Sequence, residues 1–435
     1  MMSDLVILAH GVGTVYELPI PLWAYLLGAA ATVLASFLIR AFSRTTRPIP
    51  EERRLLGPRF ARISTLVLRT IALVLLAVAL ISGLVLREEG TSPTSLIFWV
   101  AFIVGVTALS ALVAGVWEAS DPWATIDRFY RIEGSETTPR TPPWWLGPLL
   151  VFGLFWFELV SGVGFESFWV VAVLVGYSVY SLTCRAAFGE DWRTADPLSI
   201  LFGFAGTSAP LRLGDDGLFY KGPLRGLEQP GMMPLSLYAS VFILLGATTF
   251  DNLSETIGWT KFVDSSGLDL LPMMLRETLS LMALTLPFLG SFFGATWIAH
   301  RWIGRDRSVP AMARHFGWSL IPIGVASVLA HNPPLLITGV PQLLRALSDP
   351  FERGWNLLGT ASALEDFVAS PKLVWFLEIG FIVVGHIVAV MAAHRIAVRL
   401  ADSHRAAVNS QYALTVLMSV YTITTLWLLA QPLVR

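Results

Sequence analysis

The side chains that could carry chemistry in this chain are few, and most of them lie inside long apolar runs. Seven stand out there: Arg69, Glu158, Glu277, His331, Glu378, His386 and His394. An ionisable group at membrane depth is costly, so it marks either a functional site or a buried polar contact between helices. With a helical rise of about 1.5 Å per residue, Glu158, Glu277 and Glu378 fall within about two turns of the outer ends of their runs. His331 sits late in a run that travels outward, whereas His386 lies roughly 20 Å down its helix and His394 reaches the inner interface. His331, Glu378 and Glu277, with Asp251 or Glu255, are therefore placed to meet in an outward-facing pocket.

One histidine and two carboxylates suit a divalent metal that keeps an open position for water, with His331, Glu378 and Asp251 as the candidate ligands. As catalytic candidates, His331 or His386 would be ligand or general base, and Asp251, Glu378 or Asp349 ligand or orienting group. The same residues would equally serve proton handling or substrate binding in a transporter. The spacing itself specifies neither, because there is no HExxH and no His-x-His pair. His386 and His394 lie on one helix and on no opposed pair of faces, which excludes them as joint axial ligands of a haem iron. His10, in Ala9-His10-Gly11, is placed outside, where it is either an ordinary exposed side chain or a surface copper or zinc ligand.

The elements that must position these residues follow from composition. Of the 435 residues, 54% are hydrophobic and 14% charged, against roughly 25% charged in an average soluble domain. The mean hydropathy is +0.65. Charges cluster in short connections between apolar runs of about 20 residues, the length that spans a hydrocarbon layer. Ten such runs are expected, at about 19–42, 63–86, 94–117, 144–160, 168–184, 232–250, 273–299, 316–337, 373–394 and 412–430. The class is thus all-α, a polytopic transmembrane bundle forming a single membrane domain in a lipid bilayer. Sixteen Trp and 26 Phe fit aromatic belts at two interfaces.

Lys and Arg fall mainly in alternate connections, at 40–62, 128–140, 185–225, 301–314 and 395–405. Basic connections face the cytoplasm, which puts both chain ends outside and the protein in a bacterial cytoplasmic membrane. The apolar stretch Leu5–Ala9 is too short for the core of a secretory signal, so the N-terminal segment is expected to be retained. A net charge of −1 offers no basic face for nucleic acid. The one cysteine, Cys184, excludes an internal disulfide and reads as a packing residue. Asp121-Pro122, Asp196-Pro197 and Asp349-Pro350 each read as the cap and first position of a short interfacial helix.

Several segments resemble a family of bacterial polytopic membrane proteins labelled fenitrothion hydrolase, or organophosphate-hydrolase-like. They are AHG followed by LPIPLWAY near the head, FWFELV at 155–160, DPLSILFGFAG at 196–206 and TTFDNLSETIGW at 248–259. SLIPIGVASVLAHN at 319–332, SDPFERGWNLLGT at 348–360 and GHIVAVMAAH at 385–394 complete the set. The resemblance implies hydrolysis of organophosphorus-type esters. The chain departs from the family pattern after His331-Asn332, where Pro333-Pro334 predicts a break or kink in the eighth run. Three readings stand side by side: a hydrolase of small hydrophobic esters, a permease for a small solute or metal ion, and a non-catalytic accessory protein. The broken seventh and eighth runs, at Pro287, Pro322 and Pro333, speak for the permease.

Overall fold

The computed structural model describes residues 21–42, 51–86, 92–130, 140–227, 231–303, 307–361 and 370–431. His10 and the glycine-rich segment beside it lie outside these residues. The helices, in chain order, are α1 (Leu22–Phe42), α2 (Pro58–Val85), α3 (Pro93–Leu112), α4 (Val116–Ser120), α5 (Pro122–Tyr130), α6 (Leu146–Leu159), α7 (Ser167–Phe188) and α8 (Pro197–Thr207). They continue with α9 (Leu235–Ser254), α10 (Ile257–Ser266), α11 (Met273–Ile303), α12 (Val309–Phe316), α13 (Ile321–His331), α14 (Pro333–Ser348), α15 (Pro371–Leu400) and α16 (His404–Leu429). Large apolar side chains stay exposed along the outer helices, as at Ile63 (63%), Leu66 (66%) and Leu286 (64%). Water would penalise such a surface, and a bilayer favours it. The chain is an integral membrane protein.

Among the described residues, length and composition qualify seven helices as spans, or eight if the bent pair α13–α14 counts as one. The fourth expected run is a helix of only 14 residues, Leu146–Leu159. Leu235–Ser254 is a 20-residue helix that does not rank among the qualifying spans. Its line of Ser, Thr, Asp and Asn side chains lowers its hydropathy, and 13 of its positions, including Asp251 and Asn252, are buried among other helices.

Asp121 and Asp196 cap helices as their sequence suggests. Asp121 Oδ1 accepts from the Ala124 amide at 3.0 Å, and Asp196 Oδ2 from the Ser199 amide at 2.7 Å. Asp349 differs. It starts no helix, and its two oxygens accept from the Arg353 and Gly354 amides at 2.8 Å, closing a turn after α14. The reason lies in Glu352 and Gly354, both with positive φ, which turn the chain away from a helical path.

A small sheet, unexpected in an all-α reading, joins Arg53–Leu56 (β1), Val113–Ala114 (β2), Leu211–Gly214 (β3) and Gly217–Tyr220 (β4) in the order β1-β4-β3-β2. Its strands come from three separate connections, which must therefore share one face of the bundle. Arg212 donates to Glu52 Oε2 at 2.8 Å and lies over the Phe219 ring, fixing the sheet's outer edge. Lys221, just after β4, donates to the Gly206 carbonyl at 2.8 Å and so satisfies the C-terminal end of α8.

Two large apolar cores, with three smaller clusters beside them, fill the bundle among the described residues. The larger draws on α1, α8, α9, α11, α13, α15 and α16 through residues such as Phe242, Phe292 and Leu414. The smaller draws on α2, α3, α5, α7 and α14 through Trp99, Trp123 and Leu335. Helix α3 is unusual: its stretch Ile97–Gly105 is π-helical over nine residues. A π-helix is wider than an α-helix and is found mostly where function keeps it.

Candidate functional site

His331 ends α13, and Asn332 leaves the helical path with φ −106° and ψ 13°. The chain then bends by 56° into α14, which begins with Pro333 and Pro334. The prolines lack the amides needed to continue α13 and fit the first turn of a new helix, so the break follows from the sequence. Asn332 Nδ2 donates to the Val328 carbonyl at 2.8 Å, satisfying one acceptor freed by the break. The imidazole thus sits at a helix C-terminus, where the backbone dipole favours positive charge.

Asp251 and Asn252, in the last turn of α9, meet this imidazole. His331 Nε2 lies 2.7 Å from Asp251 Oδ2, and the two side chains are 14% and 11% exposed. His331 Nδ1 lies 3.2 Å from Asn252 Oδ1. Asn252 Nδ2 donates to the Thr248 carbonyl at 2.7 Å, which fixes the amide with its oxygen toward the ring. An amide oxygen only accepts, so Nδ1 carries a proton. One further proton is then shared between Nε2 and the carboxylate: the pair is either imidazolium and carboxylate or neutral imidazole and carboxylic acid.

A cavity of about 50 Å³ adjoins the pair, lined by Asp251, His331, Asn332, Glu158, Thr107 and Thr248 among its polar residues. It lies between the two cores, walled by α3, α6, α8, α9 and α13. That volume holds water, not a drug-sized molecule, for which pockets run to roughly 300–1,000 Å³.

Of the residues expected to act together, the structure joins His331 and Asp251. Glu378, on α15, is half-buried and within electrostatic range of His331 but does not line the cavity. Among the described residues, no three His, Cys, Asp or Glu side chains form a group able to hold a metal ion. His331, Asp251 and Glu378 thus do not come together as one donor group. His386 is fully buried, and its Nδ1 donates to the Ile382 carbonyl of its own helix at 2.8 Å. Asp349 is occupied in its turn, Glu277 pairs with Arg276 at 2.7 Å, and His394 meets Gln411 at 3.2 Å. Glu255 ends α9 one turn beyond the pair, and its charge reaches His331.

Asn252 and Thr248 were not singled out by sequence. Their signal was present: α9 carries Ser236, Ser240, Thr248, Asp251 and Asn252 on buried positions in an otherwise largely apolar run. No protein-family profile, no curated protein and no solved structure matches this chain.

Proposed function

We propose that this protein is a membrane permease whose substrate movement is linked to protonation of the His331–Asp251 pair. The observation that supports it most is the placement of that pair at a broken helix, beside a small cavity lined by five helices. Discontinuous helices tolerate free backbone groups at membrane depth where they border a cavity, and transporters build their sites there. A shared proton on an ion pair supplies the coupling, because binding or release changes the net charge facing the cavity. In this reading ten passes cross the cytoplasmic membrane, the basic connections face the cytoplasm and both ends lie outside.

Proteoliposomes loaded with a pH-sensitive dye test the reading. Small amines, carboxylates and sugars are added in groups, and solute-dependent proton movement is expected for one class. Asp251→Asn and His331→Gln are expected to abolish it. Proton movement absent for every class would end the permease reading.

A second reading is favoured by the 2.7 Å contact between imidazole and carboxylate next to a water-sized cavity. It is ester hydrolysis, in line with the family resemblance, with Asp251 orienting His331 as base for a water molecule. Against it, both ring nitrogens are engaged, Nδ1 as a donor. Release of p-nitrophenol from a p-nitrophenyl phosphotriester, lost in His331→Gln, would place this reading first.

A further inference from the structure

A second cavity, about 300 Å³ in volume, lies beside the first. An apolar cavity of roughly 150 Å³ already stays dry and admits benzene. The walls here are apolar and aromatic, with Phe98, Phe102, Leu150, Phe157 and Leu174 among them. The three polar side chains that line it are already engaged. Trp123 donates to the Ser178 hydroxyl, Tyr177 to Asp196 and Tyr180 to the Ala195 carbonyl. Hydrocarbon is therefore the chemistry this space accepts.

Two glycines mark its mouth. Gly153 on α6 and Gly176 on α7 line it, both are exposed, and a Cβ added at either would meet no atom within 4 Å. Leu149, Val175 and Val179 beside them are exposed as well, so the mouth is continuous with the lipid-contacting surface. Gly153 falls midway along the 14 residues of α6, and Gly176 midway along the 22 of α7. A helix as long as α7 runs about 33 Å, close to the thickness of the hydrocarbon layer. The mouth thus opens at mid-depth of the bilayer, where the ends of acyl chains lie and headgroups do not.

One wall of the cavity is the π-helical stretch of α3, which contributes Phe98, Phe102 and Ile103. Such a helix is rare and falls mostly at functional sites, so the wall is a kept feature and not a lapse in packing. Ile103 and Leu154 line the small cavity too, and whatever fills the larger space backs the wall between the two.

An apolar space left empty forfeits contacts along every wall, and the medium at this mouth is lipid tail. We infer that the cavity binds one acyl chain of a bilayer lipid, whose end enters between Gly153 and Gly176. The headgroup stays at the membrane surface, and the chain end packs behind Ile103 and Leu154.

The test uses the full-length protein in phosphatidylcholine nanodiscs, with Trp123 as reporter. Trp123 lines the cavity and is 1% exposed, so lipid on the outer surface does not touch its ring. Bromine quenches tryptophan only at close range, and the Trp123→Phe variant isolates the Trp123 contribution by difference. Lipid brominated in the terminal half of its chain should quench Trp123 about threefold more than lipid brominated beside the ester, given the depth of the mouth.

Gly153→Leu with Gly176→Leu places side chains across the mouth without a clash at either Cβ and should remove that quenching. Gly153→Leu alone should reduce it, which keeps the test readable where the double variant does not fold. Equal Trp123 emission in plain and tail-brominated lipid overturns the site. Quenching unchanged in both glycine variants overturns the mouth. Terminally brominated dodecane, added as a minor fraction to plain-lipid nanodiscs, should quench Trp123 no more than its share of the chains present. Saturable quenching by dodecane at that level overturns the lipid assignment in favour of a free hydrocarbon. None of these readouts involves proton movement, so the site stands or falls separately from the permease reading.

Discussion

Asn252 points its amide oxygen at Nδ1 of His331 from 3.2 Å, and that contact turns the ring's other nitrogen toward Asp251. The consequence is a protonated Nδ1 in the resting protein. Nitrogen-15 chemical shifts of His331, assigned by comparison with His331→Gln, should report a proton on Nδ1 at neutral pH. A bare Nδ1 would remove the proton assignment on which the coupling argument stands.

The same pair should be strongly coupled in stability. Removing one partner of a buried ion pair costs about 3–5 kcal/mol because the other charge is left without compensation. Asp251→Ala and His331→Ala should each destabilise on that scale. The double variant should fall short of their sum, since the second truncation removes the charge that the first exposed. Thermal unfolding in detergent, read on all four proteins, decides this; strict additivity would mean that the two groups do not interact.

A second buried pair lies at the other end of the smaller core. Arg185 donates through Nη2 to Asp121, both side chains are almost wholly buried, and the guanidinium lies 3.6 Å from the centre of the Trp192 ring. Asp121 also caps α5, so one carboxylate satisfies both a helix N-terminus and a cation. Asp121→Ala should therefore destabilise more than Asp196→Ala, by about 3–5 kcal/mol in total. An equal effect of the two variants would show that capping, and not ion pairing, is the main contribution of Asp121.

The fold was legible where one physical constraint dominates. Apolar runs of membrane length become helices, and Pro333-Pro334 breaks the helix where proline chemistry requires it. Depth along each helix placed His331 with Glu378 and Glu277 and with either Asp251 or Glu255, and of these it is Asp251 that lies against the imidazole. Other features carry no such signal. The strands are two to four residues long, too short for alternation to show. The π-helix Ile97–Gly105 is apolar on every side, so no periodicity distinguishes it from α-helix. Arg185 reads as one more basic residue of an inner connection until the fold-back of α4 and α5 brings Asp121 to it. Glu378 was drawn toward the site by its depth and Asp349 by residue type, and where each side chain ends up depends on helix rotation and turn geometry that spacing does not fix.

Close approach of α13 and α15 predicts intolerance at Gly385. A Cβ there would collide with Ala326 Cβ and stand 2.8 Å from the Pro322 carbonyl oxygen. Backbones that approach this closely rely on small residues at the contact. Gly385→Ala should lower stability by about 1–3 kcal/mol, the range for overpacking a fitted contact. Gly153→Ala, where nothing lies within 4 Å, should be neutral or mildly stabilising through helix propensity. Paired melting curves of the two variants check the contrast, and a neutral Gly385→Ala would mean the helices separate at little cost.

Lys221 supplies a pH dependence outside the spans. Burial lowers its ammonium from the ordinary 10.5 to about 8, with the nearby Glu52 opposing that shift. Between those two values the unfolded chain binds more protons at this position than the folded one. Stability therefore rises with pH through that window, and the penalty for burying the ammonium is complete below about 8. Lys221→Met removes the titration, along with the hydrogen bond to the Gly206 carbonyl, which shifts stability by a constant amount. The difference in melting temperature between wild type and Lys221→Met should be flat below about pH 8 and move in favour of wild type from there to pH 10.5. A difference that stays level across the whole range would show that Lys221 titrates in the folded protein as it does in water.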